Sequence, residues 1–322
     1  MDKIPTRNFA ERQIEAFDRT RAKIQSLQMS ISTGKIVQKP SDAPILSSWI
    51  SRLENDIHIA TQKRHAYDIA DIDLALEGSS LEKVNNVIIR MKELALQING
   101  GVYNESDRDL VAVEVSELRD GMLDMANIKN AQGQYLYGGL NGDSKPFVYQ
   151  DGKVRFDGTG ESGVVEVVGG RRLSTSDSGN DVFMSVPLSE GERDSAFTVV
   201  GNFISVLQGD YDAVSINIDN VDPSSQKDLF PHYMERIIAD LDAVLTHTTR
   251  YEARAGARQN VIIHQREALD ERTLDYQSRI SALADADIAE LASELTHEKN
   301  TMEAAYMSFS KIIAISLFDY IK

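Results

Sequence analysis

Residues 285–322 read DADIAELASELTHEKNTMEAAYMSFSKIIAISLFDYIK. Ile288, Leu291, Leu295, Met302, Ala305, Phe309 and Ile312 recur there at spacings of three, four and seven, with Leu317 near the end. Such spacing places them on one stripe of a helix. The stripe is narrow, closer to a coiled-coil seam than to a broad core-facing side. An apolar seam needs something to bury it. The opposite end of the chain carries Ile14, Phe17, Ile24, Leu27 and Ile31, also at helical spacing. The expectation is that the two ends pair with each other and with other copies of the chain.

With 322 residues, the chain is long enough for two or three domains and a sizeable core. It holds 34 basic against 50 acidic residues, a net charge of −16. Contacts to phosphate need clustered Lys and Arg, so neither nucleic acid nor an anionic membrane is an expected partner. There is no cysteine, which excludes a disulfide, a thiolate metal site and a Cys nucleophile. The opening MDKIPTRNFAERQIEAF has no apolar core followed by a small-residue cleavage site, unlike a secretory signal. The apolar run Ile312 to Phe318 is far too short to span a bilayer. The chain therefore reads as cytosolic, or as exported by a route that recognises an uncleaved, unfolded N-terminus.

Outward from the seam, the sequence alternates helix, β-rich insert and helix. A first helix ends at Gly34, and Pro40 and Pro44 exclude a continuous helix through residues 35–44. A second helix is predicted from about Ala43 to about Ile98, with Ser41 or Asp42 as its cap. More than fifty residues is long for a globular helix and points to a bundle or coiled coil. Ser106 and Asp109 have capping-box spacing for a third helix. From Asn141 to Phe230 the segment holds 11 of the 20 glycines, with 15 acidic against 7 basic residues. The runs KPFVYQ, KVRFDG, GVVEVVGG, DVFMSV and AFTVVGNFISVL read as strands between turns. After Pro231 the helical period returns. The predicted fold is mainly α: a long antiparallel helical bundle or coiled coil of N- and C-terminal segments, with an inserted β domain. The predicted divisions are 1–42, a terminal segment disordered or helical until assembly; 43–140, the first part of the bundle; 141–230, the β insert; 231–284, the second part of the bundle; and 285–322, the C-terminal coiled coil.

No constellation assembles a catalytic or metal site. Gly158-Thr-Gly-Glu-Ser-Gly163 spells G-x-G-x-x-G, but the strand-like VVEVV comes after it where a dinucleotide site needs a helix N-terminus. It reads as a turn. The six histidines form no close ligand pair; His58 and His65 read as solvated helix surface. Asp285 and Asp287 could seed acid/base chemistry, yet they precede a helix, where acids cap and meet the dipole. Asp71 and Asp73 lack the rest of a calcium loop. Asn104-Glu-Ser106 is a glycosylation sequon by pattern only. No catalytic, cofactor or metal residue is assigned, and a structural protein is expected rather than an enzyme.

Five motifs, in order along nearly the whole chain, are similar to those of one family. They are Ile31-Ser-Thr-Gly-Lys35 with Pro40-Ser-Asp-Ala-Pro44; Asn130 to Gly139 (NAQGQYLYGG) with Pro146-Phe147; Ala255-Gly-Ala-Arg-Gln-Asn260; Asp285-Ala-Asp-Ile-Ala-Glu290; and Ser316-Leu-Phe-Asp-Tyr-Ile321. In these the chain resembles the flagellin-like family of hook–filament junction proteins, the hook-associated protein 3 or FlgL type. Departures from the family pattern include Ala43 in place of an acid, and Ile31 and Ile321 in place of leucines.

The resemblance implies an extracellular ring in the bacterial flagellum, between the first hook-associated protein and flagellin. It implies export, unfolded and without a cleaved signal, through the flagellar type III channel. It implies termini that fold on assembly into a shared coiled-coil tube, and a cytoplasmic export chaperone on the C-terminal segment. The interface it implies comprises Ile14, Phe17, Ile24, Leu27 and Ile31 with Ile288, Leu291, Leu295, Met302, Phe309, Ile312 and Leu317. Two other readings stay open: a filament subunit of flagellin type, which the SLFDYI ending argues against, and an enzyme using the glycine loop.

Overall fold

The computed structural model describes residues 4–101, 103–150, 152–167, 169–189, 191–216 and 226–320, except for the side chains of 4–10, 226–228 and 312–320. Among the described residues, six helices carry the fold: α1 (Ile4–Thr33), α2 (Pro44–Gly100), α3 (Glu105–Ala126), α4 (Ala196–Leu207), α5 (Gln226–Ala284) and α6 (Ile288–Tyr320). The described residues between α3 and α4 hold six short strands: β1 (Phe147–Gln150), β2 (Lys153–Phe156), β3 (Val164–Glu166), β4 (Arg172–Ser174), β5 (Val186–Pro187) and β6 (Arg193–Asp194). They pair antiparallel as β1–β2, β3–β4 and β5–β6. The protein is thus mainly helical with an inserted β region. The chain divides into two compact units, residues 1–61 with 270–322, and residues 62–269.

In the central unit α2 and α5 run antiparallel, as the compact insert between them requires. Arg266 reaches Asp68 and Asp71, each at 3.2 Å, Asn85 donates to Glu252 at 2.6 Å, and Lys92 pairs with Asp242. Leu81, Val84, Ile88, Met91, Ala95 and Ile98 of α2 are buried against Val115 and Met122 of α3 and Ile237 and Leu241 of α5. Beneath the insert, Phe183 meets Phe147 edge-on at 5.4 Å and Tyr137 at 5.3 Å. Asn127 fastens β1 to this core, accepting from the Phe147 N–H and donating to its carbonyl, both at 3.0 Å. The double glycine of NAQGQYLYGG has a backbone reason. Gly139 sits at φ +71°, and a Cβ there would meet Thr159 at 2.3 Å.

Four expectations are corrected. AFTVVGNFISVL is a helix, α4, not a strand: Ser195 caps it by accepting the Phe197 N–H at 3.1 Å, and Ala196, Val199, Val200, Phe203, Val206 and Leu207 are buried. So continuous an apolar run fits a buried helix as well as a buried strand. DVFMSV contains one turn of π-helix (Asn180–Met184) before β5. The cap of α3 is Asn104, reciprocated by Asp107, rather than Ser106 with Asp109. Finally, α5 begins five residues before Pro231 and carries that proline in its second turn, at the cost of one intrahelical hydrogen bond.

In the terminal unit α1 and α6 are antiparallel. Gly34 takes φ +69° and ends α1, its N–H reaching the Ser30 carbonyl at 2.8 Å. The chain then bridges to the α5–α6 turn: the Ile36 N–H donates to the Ala284 carbonyl at 2.7 Å, and the Ala286 N–H to the Gly34 carbonyl at 2.9 Å. Asp287 caps α6, accepting from the N–H groups of Ala289 at 2.9 Å and Glu290 at 3.2 Å. That is the structural use expected of it, and it accounts for the spacing of the DADIAE motif.

Candidate assembly interface

The apolar positions of α1 and α6 face each other. Phe17 packs against Phe309 edge-on and against Tyr306, both at 5.8 Å between ring centroids. Further along α1, Lys23 reaches across to Glu298 at 2.7 Å and Glu294 at 2.9 Å. These hydrogen bonds to two carboxylates raise the Lys23 pKa above the ordinary lysine range. Lys23 and Tyr306 belong to the contact although the apolar stripe did not include them. The signal for Lys23 in the sequence was the Glu294/Glu298 pair, four residues apart and so on one helical face.

Burial of the seam residues is uneven. Leu27 is buried; Phe17, Ile24, Ile31, Leu291, Leu295, Met302 and Phe309 are half-buried; Ile14 and Ile288 stay exposed. The side chains of Ile312 and Leu317 lie outside the described residues. Met29, Ile36, Ile45, Trp49, Leu274, Tyr306 and Met307 add further exposed apolar surface to the same unit. A pair of helices that leaves so much of its seam uncovered has not completed the burial its sequence encodes.

The other candidates do not form sites. The glycine sequence 158–163 joins β2 to β3 and opens no helix. His58 and His65 are exposed. No group of three or more His, Asp or Glu side chains among the described residues could hold a metal ion, and no helix among them is long and apolar enough to cross a membrane.

One polar cluster in the central unit escaped the sequence reading. Glu77 is fully buried on α2 and accepts the Asp177 N–H at 2.9 Å; Asp177 takes Arg258 of α5 at 2.7 Å. Burial, with the Asp177 carboxylate adding to it, pushes the Glu77 pKa up to about 8, opposed by the Asp177 N–H and by Arg258 and Arg254. The arginine of the GAR-x-N motif thus neutralises Asp177 beneath the insert, a role no spacing announces.

The family described as the bacterial flagellin N-terminal helical region matches residues 4–142. Flagellar hook-associated protein 3 of Escherichia coli K12 is 25% identical over 296 residues, 91% of each chain. The chain is similar to hook-associated protein 3 over nearly its whole length. The protein of the same name from Salmonella typhimurium LT2 is 22% identical over 323 residues, 98% of each chain. The fold agrees with the structure of a putative flagellar hook-associated protein from Vibrio parahaemolyticus, at a TM-score of 0.63 and 16% identity, over 76% of this chain and all of that one. In this chain α1 falls inside the matched flagellin-type region, while α6 lies outside it. The antiparallel contact joins the two.

Proposed function

We propose that this chain forms the junction between the hook and the flagellin filament of a bacterial flagellum, and that it does so by completing the α1–α6 seam against neighbouring copies. Likeness to hook-associated protein 3 over nine-tenths of both chains supports the junction role. The observation that carries the mechanism is the half-buried seam, which leaves Ile14 and Ile288 exposed in the single chain. Ordering a terminal segment costs about 1–2 kcal/mol per residue in backbone entropy. Burial supplied by neighbours offsets it, so the terminal segments 1–42 and 285–322 order fully only in the ring.

The assembly surface comprises Ile14, Phe17, Ile24, Leu27 and Ile31 with Ile288, Leu291, Leu295, Met302, Phe309, Ile312 and Leu317. On the hook side the partner is the first hook-associated protein, and on the other side flagellin. Before assembly a cytoplasmic export chaperone covers the C-terminal segment, and the chain leaves the cell through the flagellar export channel to act outside it. The role is structural rather than catalytic.

Deletion of the gene tests the junction role. Expected are hooks without filaments and flagellin lost to the medium; loss of filament with no flagellin released makes the chain a filament subunit or export component instead. Phe309→Asp tests the seam. The purified variant keeps a folded central unit and is absent from flagella; normal flagella carrying it refute the mechanism.

A further inference from the structure

The seam is not the sole apolar exposure on the molecule. In the terminal unit, Trp49 and Leu53 of α2 and Ala282 and Leu283 of α5 line a hollow of about 440 Å³, rimmed by Arg52 and by Arg279, which pairs with Asp275 at 2.9 Å, so that Arg52 carries the net positive charge of the rim. Trp49 is the single tryptophan of the chain. It is 53% exposed, and Ile45, one helical turn before it, is 74% exposed. A half-exposed tryptophan beside an open apolar hollow is the composition of an interface centre rather than of a solvated surface.

A second apolar face lies in the central unit, where α2 and α3 pair. Arg90 meets Glu114 at 2.8 Å, which fixes how the two helices are turned towards each other. From that contact, helical periodicity puts Ile89 and Leu96 of α2 and Leu110 and Val113 of α3 on one outward side. All four are exposed, Leu110 at 70% and Val113 at 63%. The opposite sides of the same helices carry the buried Ile88, Met91, Val115 and Met122. Glu93 and Glu117 frame the outward side. Arg90 is already engaged by Glu93 and Glu114, so the face is acidic on balance.

We propose that the Trp49 hollow of one copy receives the α2–α3 face of the next, the basic rim Arg52/Arg279 meeting Glu93/Glu117. The two surfaces match in character, an apolar centre on each, and are opposite in charge. Charge of opposite sign fixes register and rejects like pairing, since two acidic faces or two basic hollows repel. Because hollow and face are different patches, the contact is heterologous. Repeated contacts of that kind run head to tail, and the series becomes a ring when the rotation closes. The inference rests on the ring reading above and adds to it a contact outside the α1–α6 seam.

The absence of native cysteine makes a clean test available. Ala282→Cys and Val113→Cys are placed together in one full-length chain, expressed in the source bacterium in place of the native protein, and a short bis-maleimide is applied to purified hook–filament particles. A head-to-tail contact gives a ladder of dimers, trimers and longer chains from the double variant, and none from either single variant. Filament-bearing particles that contain the variant but give no ladder overturn the contact and leave the junction role intact. So does a dimer from Val113→Cys alone, which means that the face pairs with itself, or crosslinking only to a different flagellar protein. Absence of the wild-type chain from the particles overturns the junction role instead. If the cysteine variant does not incorporate, charge exchange decides. Arg52→Glu with Arg279→Glu, and Glu93→Arg with Glu117→Arg, each lose filaments when expressed alone and recover them when expressed together. Loss without recovery on co-expression overturns the contact, as does normal assembly by either variant alone.

Discussion

The central unit and the terminal unit are built from the same long helices but differ in how much they bury. Between residues 62 and 269, Tyr67, Tyr137, Phe147, Phe183 and Phe203 are essentially removed from solvent, with Leu81, Ile88 and Met91 of α2 beside them. In residues 1–61 and 270–322, only Leu27, Ala60 and Ala284 are buried apolar side chains among those described. Composition does not explain the contrast, since both units present apolar positions at helical spacing. Geometry explains it. The central unit wraps three helices and an insert around one core, whereas α1 and α6 offer each other a single stripe. Each buried Leu, Ile or Phe contributes roughly 1.5–3 kcal/mol. The central unit therefore gains far more from its own burial than the terminal unit does.

That contrast can be broken experimentally. The largest effect is expected from Phe183→Ala, which empties the centre of the aromatic cluster and destabilises the central unit by about 3–5 kcal/mol in denaturant unfolding. A cost near 1 kcal/mol would mean that the cluster is not the core of that unit.

Next comes Glu77→Gln, read through pH. The folded carboxyl, with its pKa raised to about 8, keeps a proton that the unfolded chain releases near 4.5. The folded state therefore binds more protons across that window, and stability falls as pH rises from about 4.5 to about 8. Its slope is at most ~1.4 kcal/mol per pH unit from one proton, and it is flat outside the window. Glu77→Gln removes this component, so the difference between variant and wild type grows from pH 5 to pH 8. A constant difference would place Glu77 in an ordinary ionised state.

Phe17→Ala sharpens the comparison in the other unit. In the free chain it costs only about 1 kcal/mol, the value of its ring contacts with Tyr306 and Phe309, yet it impairs incorporation into flagella. Equal costs for Phe17→Ala and Phe183→Ala in the free chain would erase the distinction between the units. The smallest effect is expected from Lys23→Ala. Its ion pairs lie at the surface and are screened by salt, so thermal unfolding at physiological salt stays unchanged, and any difference at low salt disappears as salt is added.

Much of the helical frame was legible. Gly34 as a stop, the start of α2 near Ala43, its end near Ile98 and the capping role of Asp287 each obey a local rule about backbone freedom or orphan N–H groups. The apolar stripes of α1 and α6 located the seam, and the structure brings Phe17 to Phe309 as the spacing required. Illegible were α4 and the buried polar pins. The run from Ala196 to Leu207 is apolar on every side, so period alone does not separate helix from strand. Glu77 and Arg258 stand 100 and 81 residues from Asp177, and nothing local marks the three as partners.

By itself the sequence determined the long helices, the stop at Gly34, the cap at Asp287 and the presence of an apolar seam at each end, because these depend on neighbours within one or two turns of the chain. Only the tertiary structure decided which faces are covered and which are left open. It closes the core over Phe183 and buries Glu77 against Asp177. It leaves the Trp49 hollow and the α2–α3 face exposed. Burial is a property of surfaces that meet across long stretches of chain, and periodicity reports that a face is apolar without reporting what covers it.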